Sequence, residues 1–160
     1  MSGALCSRLQ VLIDNQPAGA ETPATETFMG DRKAIVPAGM EAVYEKIGYA
    51  PGLQVGDTLY VSGQIGRDAA LQLVEGREAQ IVQAFENLKR VLEAAGASFN
   101  DVVDLTTFHT DMRDLPLFMQ VRDRYVDAHP KPAWTAVGAH MLGGSPGYIV
   151  EIKAVAVLRG

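Results

Sequence analysis

The chain has 160 residues, 48% of them hydrophobic and 21% charged, with a formal net charge of -5. That length and balance suit one soluble globular domain with a sizeable core, and the acidic balance argues against a broad nucleic-acid surface. Cys6 is the single cysteine, which excludes an intrachain disulfide and a cysteine-based metal cluster and favours a reducing, cytoplasmic location; no apolar run approaches the roughly 20 residues of a membrane span.

Residues 1–30 include Gln16-Pro-Ala-Gly-Ala-Glu-Thr-Pro-Ala-Thr-Glu-Thr27, which has no periodicity. They are expected to form a flexible N-terminal extension, or to lie upstream of a start at Met29. A signal peptide is the sharper alternative, but Leu9–Ile13 is short for its apolar core and Arg8 is the whole basic region. Residues 31–160 are expected to be the single domain.

Ala34-Ile-Val36 is a short strand candidate, and Pro51-Gly52 a turn. Leu53–Val55 and Thr58–Ser62 flank Gly56-Asp57, the signature of a hairpin with a two-residue type II′ loop. The second strand is expected to end at Gly63. Gly63 and Gly66 then allow either a tight bend or close approach of the backbone to something else. From Glu78 to Ala95 the residues Ile81, Phe85, Leu88, Leu92 and Ala95 recur at helical spacing, with Gly96 as the residue after the cap. Val102–Thr110 reads as a strand. A second helix is expected from an N-cap at Asp114, with Pro116 in its first turn, Leu117, Val121 and Tyr125 as its stripe, Phe118 beside it, and Pro130 and Pro132 ending it.

Pro132–His140 and Tyr148–Leu158 read as two further strands around a Gly/Pro-rich loop, the usual hairpin punctuation, and a chemical site is expected between them. Period-two alternation puts Ile149, Glu151, Lys153, Val155 and Val157 on one face, and Trp134, Ala136, Gly138 and His140 on one face of the other strand. Glu151 is thus a carboxylate in an apolar strand, costly unless paired, hydrogen-bonded or protonated. The plain reading pairs it with Lys153 or with a neighbouring subunit. For Trp134 the plain reading is packing, the sharper one ligand stacking. His109, His129 and His140 lack ligand spacing, and His140 is a candidate filler near Trp134. Asp111 and Asp114 resemble a metal pair only superficially, because Asp114 is expected to cap a helix. The Gly143–Gly147 loop is not a phosphate loop, since no Lys-Ser/Thr follows it.

Two helices on one face of a mixed sheet make an α+β domain. The other face is too apolar for solvent, so self-association through the sheet is expected.

Tyr49-Ala-Pro51, Val61-Ser-Gly-Gln64, Glu86-Asn-Leu-Lys89, Leu92-Glu-Ala-Ala-Gly96, Asp101-Val-Val103, Thr110-Asp-Met112 and Val150-Glu-Ile-Lys-Ala154 follow in order. Over about residues 34–158 this set resembles the RidA (YjgF) family of reactive-intermediate deaminases, also labelled L-PSP endoribonucleases. The resemblance implies a chorismate-mutase-like α+β fold and a barrel-like homotrimer with ligand clefts between subunits. It implies hydrolysis of small enamines or imines with release of ammonia, and neither metal nor cofactor. Glu151 stands at the family's acidic position, Tyr49 at a tyrosine bordering the cleft, and Gly63 at a glycine whose backbone meets the ligand. Trp134 stands where the family has the arginine that clamps a substrate carboxylate. Ala136 replaces a small residue that is often cysteine or serine. The sequence thus looks like an arginine-lacking subgroup. Three readings follow: a hydrolase with altered substrate choice, a non-catalytic small-molecule-binding or regulatory trimer, and, least supported, a ribonuclease.

Overall fold

The computed structural model describes residues 32–159; the expected N-terminal extension lies outside them. Six strands form one mixed sheet: β1 (Arg32–Ile35), β2 (Gly52–Val55), β3 (Thr58–Ile65), β4 (Val102–His109), β5 (Ala133–Gly138) and β6 (Val150–Val157). Their spatial order is β1-β2-β3-β6-β4-β5. Only β4 and β5 are parallel; the other neighbours run antiparallel. Helices α1 (Arg77–Ala94) and α2 (Leu115–Arg122) complete the fold, which is chorismate-mutase-like α+β.

The β2–β3 hairpin has the expected loop: Val55 pairs with Thr58, and Gly56 takes the positive φ of +60°. Strand β3 runs on past the expected end at Gly63 to Ile65, with a register shift against β6 between Val61 and Gln64. The bulge absorbs Ser62 and Gly63 without ending the ladder.

Helix α1 buries the expected stripe, with Ile81, Phe85, Leu88 and Leu92 at 1% exposure or less. Its end is a Schellman arrangement: Gly96 (φ +76°) donates its N–H to Glu93 O, and Ala97 donates to Leu92 O. The alternating buried residues of β6, Val150, Ile152, Ala154 and Ala156, share one core with α1 and with Phe118 and Val121 of α2. Phe85 stacks on Tyr125 at 4.9 Å between centroids and meets Phe118 at 5.6 Å.

The second helix departs from expectation. It has eight residues and ends at Arg122, well before Pro130 and Pro132. Tyr125 therefore joins the core from the turn beyond the helix rather than from its stripe. Asp114 occupies the N-cap position, but its side chain caps nothing. Its carboxylate turns to Arg77 of α1, and its Oδ2 is buried without a hydrogen bond. The side-chain cap is made one turn earlier by Asp111, which accepts the Arg113 N–H at the start of the 3₁₀ turn Met112–Asp114. A carboxylate bonds where geometry lets it reach, and the interhelical cation outcompetes the local amides at position 114.

The last two strands are not a hairpin. β4 lies between β5 and β6 and pairs with both, so no site can lie between β5 and β6 of one chain. Strand β5, parallel to β4 and reached from it through α2, lies at the sheet edge, so its connection to β6 passes β4. The register fixes faces: Leu105 pairs with both Trp134 and Ala154, and Phe108 pairs with Glu151. Trp134 and Ala136 therefore point to the helix-covered face, and Glu151 to the opposite one. Among the described residues that opposite face carries no helix and leaves Tyr60 (47%), Val157 (39%) and Val137 (38%) exposed. No helix among the described residues is long and apolar enough to cross a membrane.

Candidate active site

Glu151 sits near the start of β6, opposite Ile65 of β3. Beside it, the bulge presents Gly63, whose missing side chain makes room for the carboxylate: a Cβ there would lie 1.8 Å from Glu151 Oε1. The two glycines after Val61 thus serve the closer-approach reading. Gly63 accommodates Glu151, and Gly66 accommodates α1, where a Cβ would come within 2.7 Å of Gln80 Cα.

The side chain of Glu151 is half-buried, and burial raises its pKa above the usual carboxylate range, against a smaller opposing pull from the charge of Arg67. The plain alternative of an ion pair with Lys153 is not realised within the chain. Lys153 is exposed, and the electrostatic partner felt at Glu151 is Arg67. An acid held above its ordinary pKa and facing a cleft is suited to giving and taking a proton.

The cleft has a volume of about 500 Å³ and is lined by Tyr49, Ser62, Gly63, Arg67, Gly143 and Glu151, with Ile47 and Ile65. Each element delivers one wall. A single wide helical turn, Val43–Ile47, ends at Gly48 (φ +92°) and hands over Ile47 and Tyr49. Ser62 donates to Ala50 O at 2.7 Å, tying the Tyr49 segment to the bulge. Buried Gln80 donates to Gly147 O and accepts from the Ile149 N–H, which fixes the loop entering β6. Tyr49 is half-buried, and its hydroxyl accepts a hydrogen bond from Arg67 Nη2 at 3.0 Å.

Three of the sequence-derived candidates, Tyr49, Gly63 and Glu151, therefore meet in one cleft. Trp134 and Ala136 do not join them within a chain. Trp134 is half-buried on the helix side, its ring 5.8 Å from Phe118 and stacked at 25°. The Arg122 guanidinium lies 4.6 Å from its centroid. Its indole N–H donates to Thr107 Oγ1 at 3.0 Å, and that hydroxyl is 2.9 Å from His109 Nε2. Thr107 and His109 are 0% and 1% exposed. Since the threonine oxygen accepts from the indole, its own proton is available to His109 Nε2. Burial lowers the His109 pKa despite the opposing charge of Asp114, which keeps the imidazole neutral and able to accept. The packing reading of Trp134 is thus realised within the chain. Its exposed edge borders a second cleft of about 380 Å³ with Arg122, Lys131 and Pro132. His140 lies beyond the end of β5 and is exposed, so it is not a filler beside Trp134.

Arg67 is the site residue that sequence reasoning passed over. Its one signal was a basic residue directly after the Gly63–Gly66 pair. Among the described residues no group of three or more His, Cys, Asp or Glu side chains is placed to hold a metal ion.

The profile of the family described as Endoribonuclease L-PSP matches residues 40–158. The chain belongs to the L-PSP (YjgF/RidA/RutC) family. The RutC family protein YjgH of Escherichia coli is 38% identical over 129 residues, which is 80% of this chain and 96% of that protein. A relative in this family from Mus musculus, named 2-iminobutanoate/2-iminopropanoate deaminase, is 38% identical over 114 residues, 68% of this chain and 80% of its own. Among solved structures, protein YJGH superposes with a TM-score of 0.74 at 37% identity, covering 81% of this chain and 98% of its own. RidA from a Psychrobacter species gives 0.64 at 39%, covering 69% and 88%. The L-PSP family fold therefore accounts for nearly all of the described chain.

Proposed function

We propose that this protein hydrolyses small enamines or imines in clefts shared between copies of a homotrimer, with Glu151 handling protons and Trp134 altering substrate choice. The observation that carries the reading is the half-buried Glu151 carboxyl, with no hydrogen bond or ion pair among the described residues, facing an open cleft. Family relatives named 2-iminobutanoate/2-iminopropanoate deaminases lend it chemical direction. The open sheet face with its exposed Tyr60, Val137 and Val157 supports the assembly.

The chemistry is R₂C=NH + H₂O → R₂C=O + NH₃. An enamine first gains a proton at carbon and loses one from nitrogen, giving the imine. Protonated Glu151 donates to the imine nitrogen, and water adds to the carbon as the C=N π pair moves to nitrogen. The resulting carboxylate accepts the proton that the added water gives up. A second proton reaches nitrogen, the C–N bond breaks with its electron pair leaving on ammonia, and the hydroxyl proton is released as the carbonyl forms. The steps need neither metal nor cofactor. Tryptophan at 134, in place of a cation, offers an approaching ligand from a neighbouring copy an aromatic edge instead of a charge.

Ammonia release from freshly generated imines, charged and uncharged, tests the reading. The wild-type protein should exceed the buffer rate, and Glu151→Gln should lose about 10²–10⁴-fold. Equal rates in both proteins reject Glu151 as the proton carrier. Ligand-dependent thermal shifts without turnover replace the hydrolase with a binding trimer.

A further inference from the structure

We propose that Arg67 is the anion-recognising residue of the Glu151 cleft. Its ligand is then a small molecule with a carboxylate or similar anionic group, held by the guanidinium while its other end lies over Glu151. The cation reaches the cleft from the turn that follows β3. The assignment of the second end to a reacting carbon rests on the hydrolase reading, while the anion site itself rests on geometry.

Three observations carry it. The backbone of Arg67 is fixed: its carbonyl accepts from Asn87 Nδ2 at 2.9 Å, and its N–H donates to Ile65 O at 2.8 Å. Asn87 is 4% exposed and also binds Ile65 O, so the root of the arginine is anchored to α1. The guanidinium is oriented but not neutralised. Its side-chain partner is the Tyr49 hydroxyl, a neutral group, and no carboxylate among the described residues lies within ion-pair distance. The guanidinium makes no other hydrogen bond among the described residues, and Arg67 lines the cleft.

Apart from Arg32, exposed at the start of β1, the other described arginines make the contrast. Arg77, Arg113, Arg122, Arg124 and Arg159 are all held by carboxylates. Arg90 is committed to the carbonyl of Ala38. In the cleft beside Trp134, Arg122 is paired with Asp123 at 2.7 Å, and exposed Lys131 donates to Val126 O at 3.3 Å as a point charge without a guanidinium's fork. A planar guanidinium with unused donors, half-buried and facing a carboxyl across a cleft of about 500 Å³, is a carboxylate receptor.

The test is equilibrium titration of 2-oxobutanoate and of its uncharged methyl ester into the intact wild-type protein, Arg67→Met, Arg67→Lys and Glu151→Gln. The expected result is binding of 2-oxobutanoate to wild type and a loss of about 10–100-fold in Arg67→Met. Arg67→Lys should fall between them, because an ammonium keeps the charge and loses the fork. Ester affinity should be unchanged across the arginine series, which separates loss of the clamp from loss of fold. Equal affinity of wild type and Arg67→Met for the acid overturns the proposal, as does absence of acid binding to wild type. Glu151→Gln should retain acid binding. Arg67-dependent acid binding in a wild-type protein that releases no ammonia would reject the hydrolase reading and leave the anion site standing.

Discussion

The carboxylate of Glu151 rests against the backbone of Gly63, across a β-bulge that leaves no room for a methyl group between them. A Cβ at position 63 would approach Cδ and Cγ of Glu151 to 2.6 and 2.8 Å as well as Oε1, so rotating the carboxyl group alone would not relieve the clash. Gly63→Ala should swing the whole side chain out of the cleft. The expected result is ammonia release as low as in Glu151→Gln, with thermal stability reduced by only about 1–2 kcal/mol because a flexible side chain can yield. Unaltered turnover in Gly63→Ala would show that the carboxylate can work from elsewhere.

The raised pKa of Glu151 has a stability consequence with a definite sign. A carboxyl whose folded pKa lies above its unfolded value favours the folded state fully below the unfolded pKa. That contribution is lost as pH rises through the folded value. Burial, the larger cause, raises it, and Arg67 offsets only part. Glu151→Gln, which cannot ionise, should therefore melt above wild type at about pH 8, with the difference shrinking as pH falls toward about 4. Thermal unfolding across that range reads it out. A mutant that is less stable at every pH would mean that the carboxylate is paid for by contacts made on assembly.

Trp134→Phe should keep the stacking on Phe118 and lose the hydrogen bond to Thr107 Oγ1. The expected cost is about 0.5–1.5 kcal/mol in urea unfolding. Trp134→Ala removes the ring as well and should cost about 2–4 kcal/mol, somewhat under the fully buried range because one edge is open. Equal stabilities of the Phe variant and the wild type would show that the Thr107 hydroxyl finds a new partner when the indole is gone.

Tyr60 and Val157 lie on the helix-free face and are 47% and 39% exposed. If the proposed homotrimer forms through this face, introducing charge there, as Tyr60→Glu with Val157→Lys, should shift the solution mass from three chains toward one while the far-ultraviolet spectrum stays that of a folded α+β protein. Sedimentation equilibrium measures both species. An unchanged mass would place the interface elsewhere.

Periodicity carried most of the fold. The α1 stripe, the hairpin and the alternation in β6 are local patterns whose partners lie within a few residues, and the structure reproduces each. What local pattern could not carry was non-local pairing. β5 and β6 read as neighbours because a turn-rich loop joins them, yet the ladder of β4 separates them. Asp114 has the composition of a cap, but Arg77, distant in sequence, claims its carboxylate. The site divides in the same way. Glu151 was legible because a lone acid in an apolar strand is anomalous in any context, and Gly63 because a glycine at an expected strand end permits close approach; that the strand continues through it was not legible. Arg67 was not legible, since a basic residue after a strand is ordinary until the bond to Tyr49 shows which way it points.

The placement of Trp134 and Glu151 on opposite sides of one sheet sets a rule for any molecule that touches both. In the proposed homotrimer such a molecule would lie between two polypeptides. Chains disabled at Trp134 and chains disabled at Glu151 would then repair one another when refolded together, because some junctions would inherit an intact member from each parent.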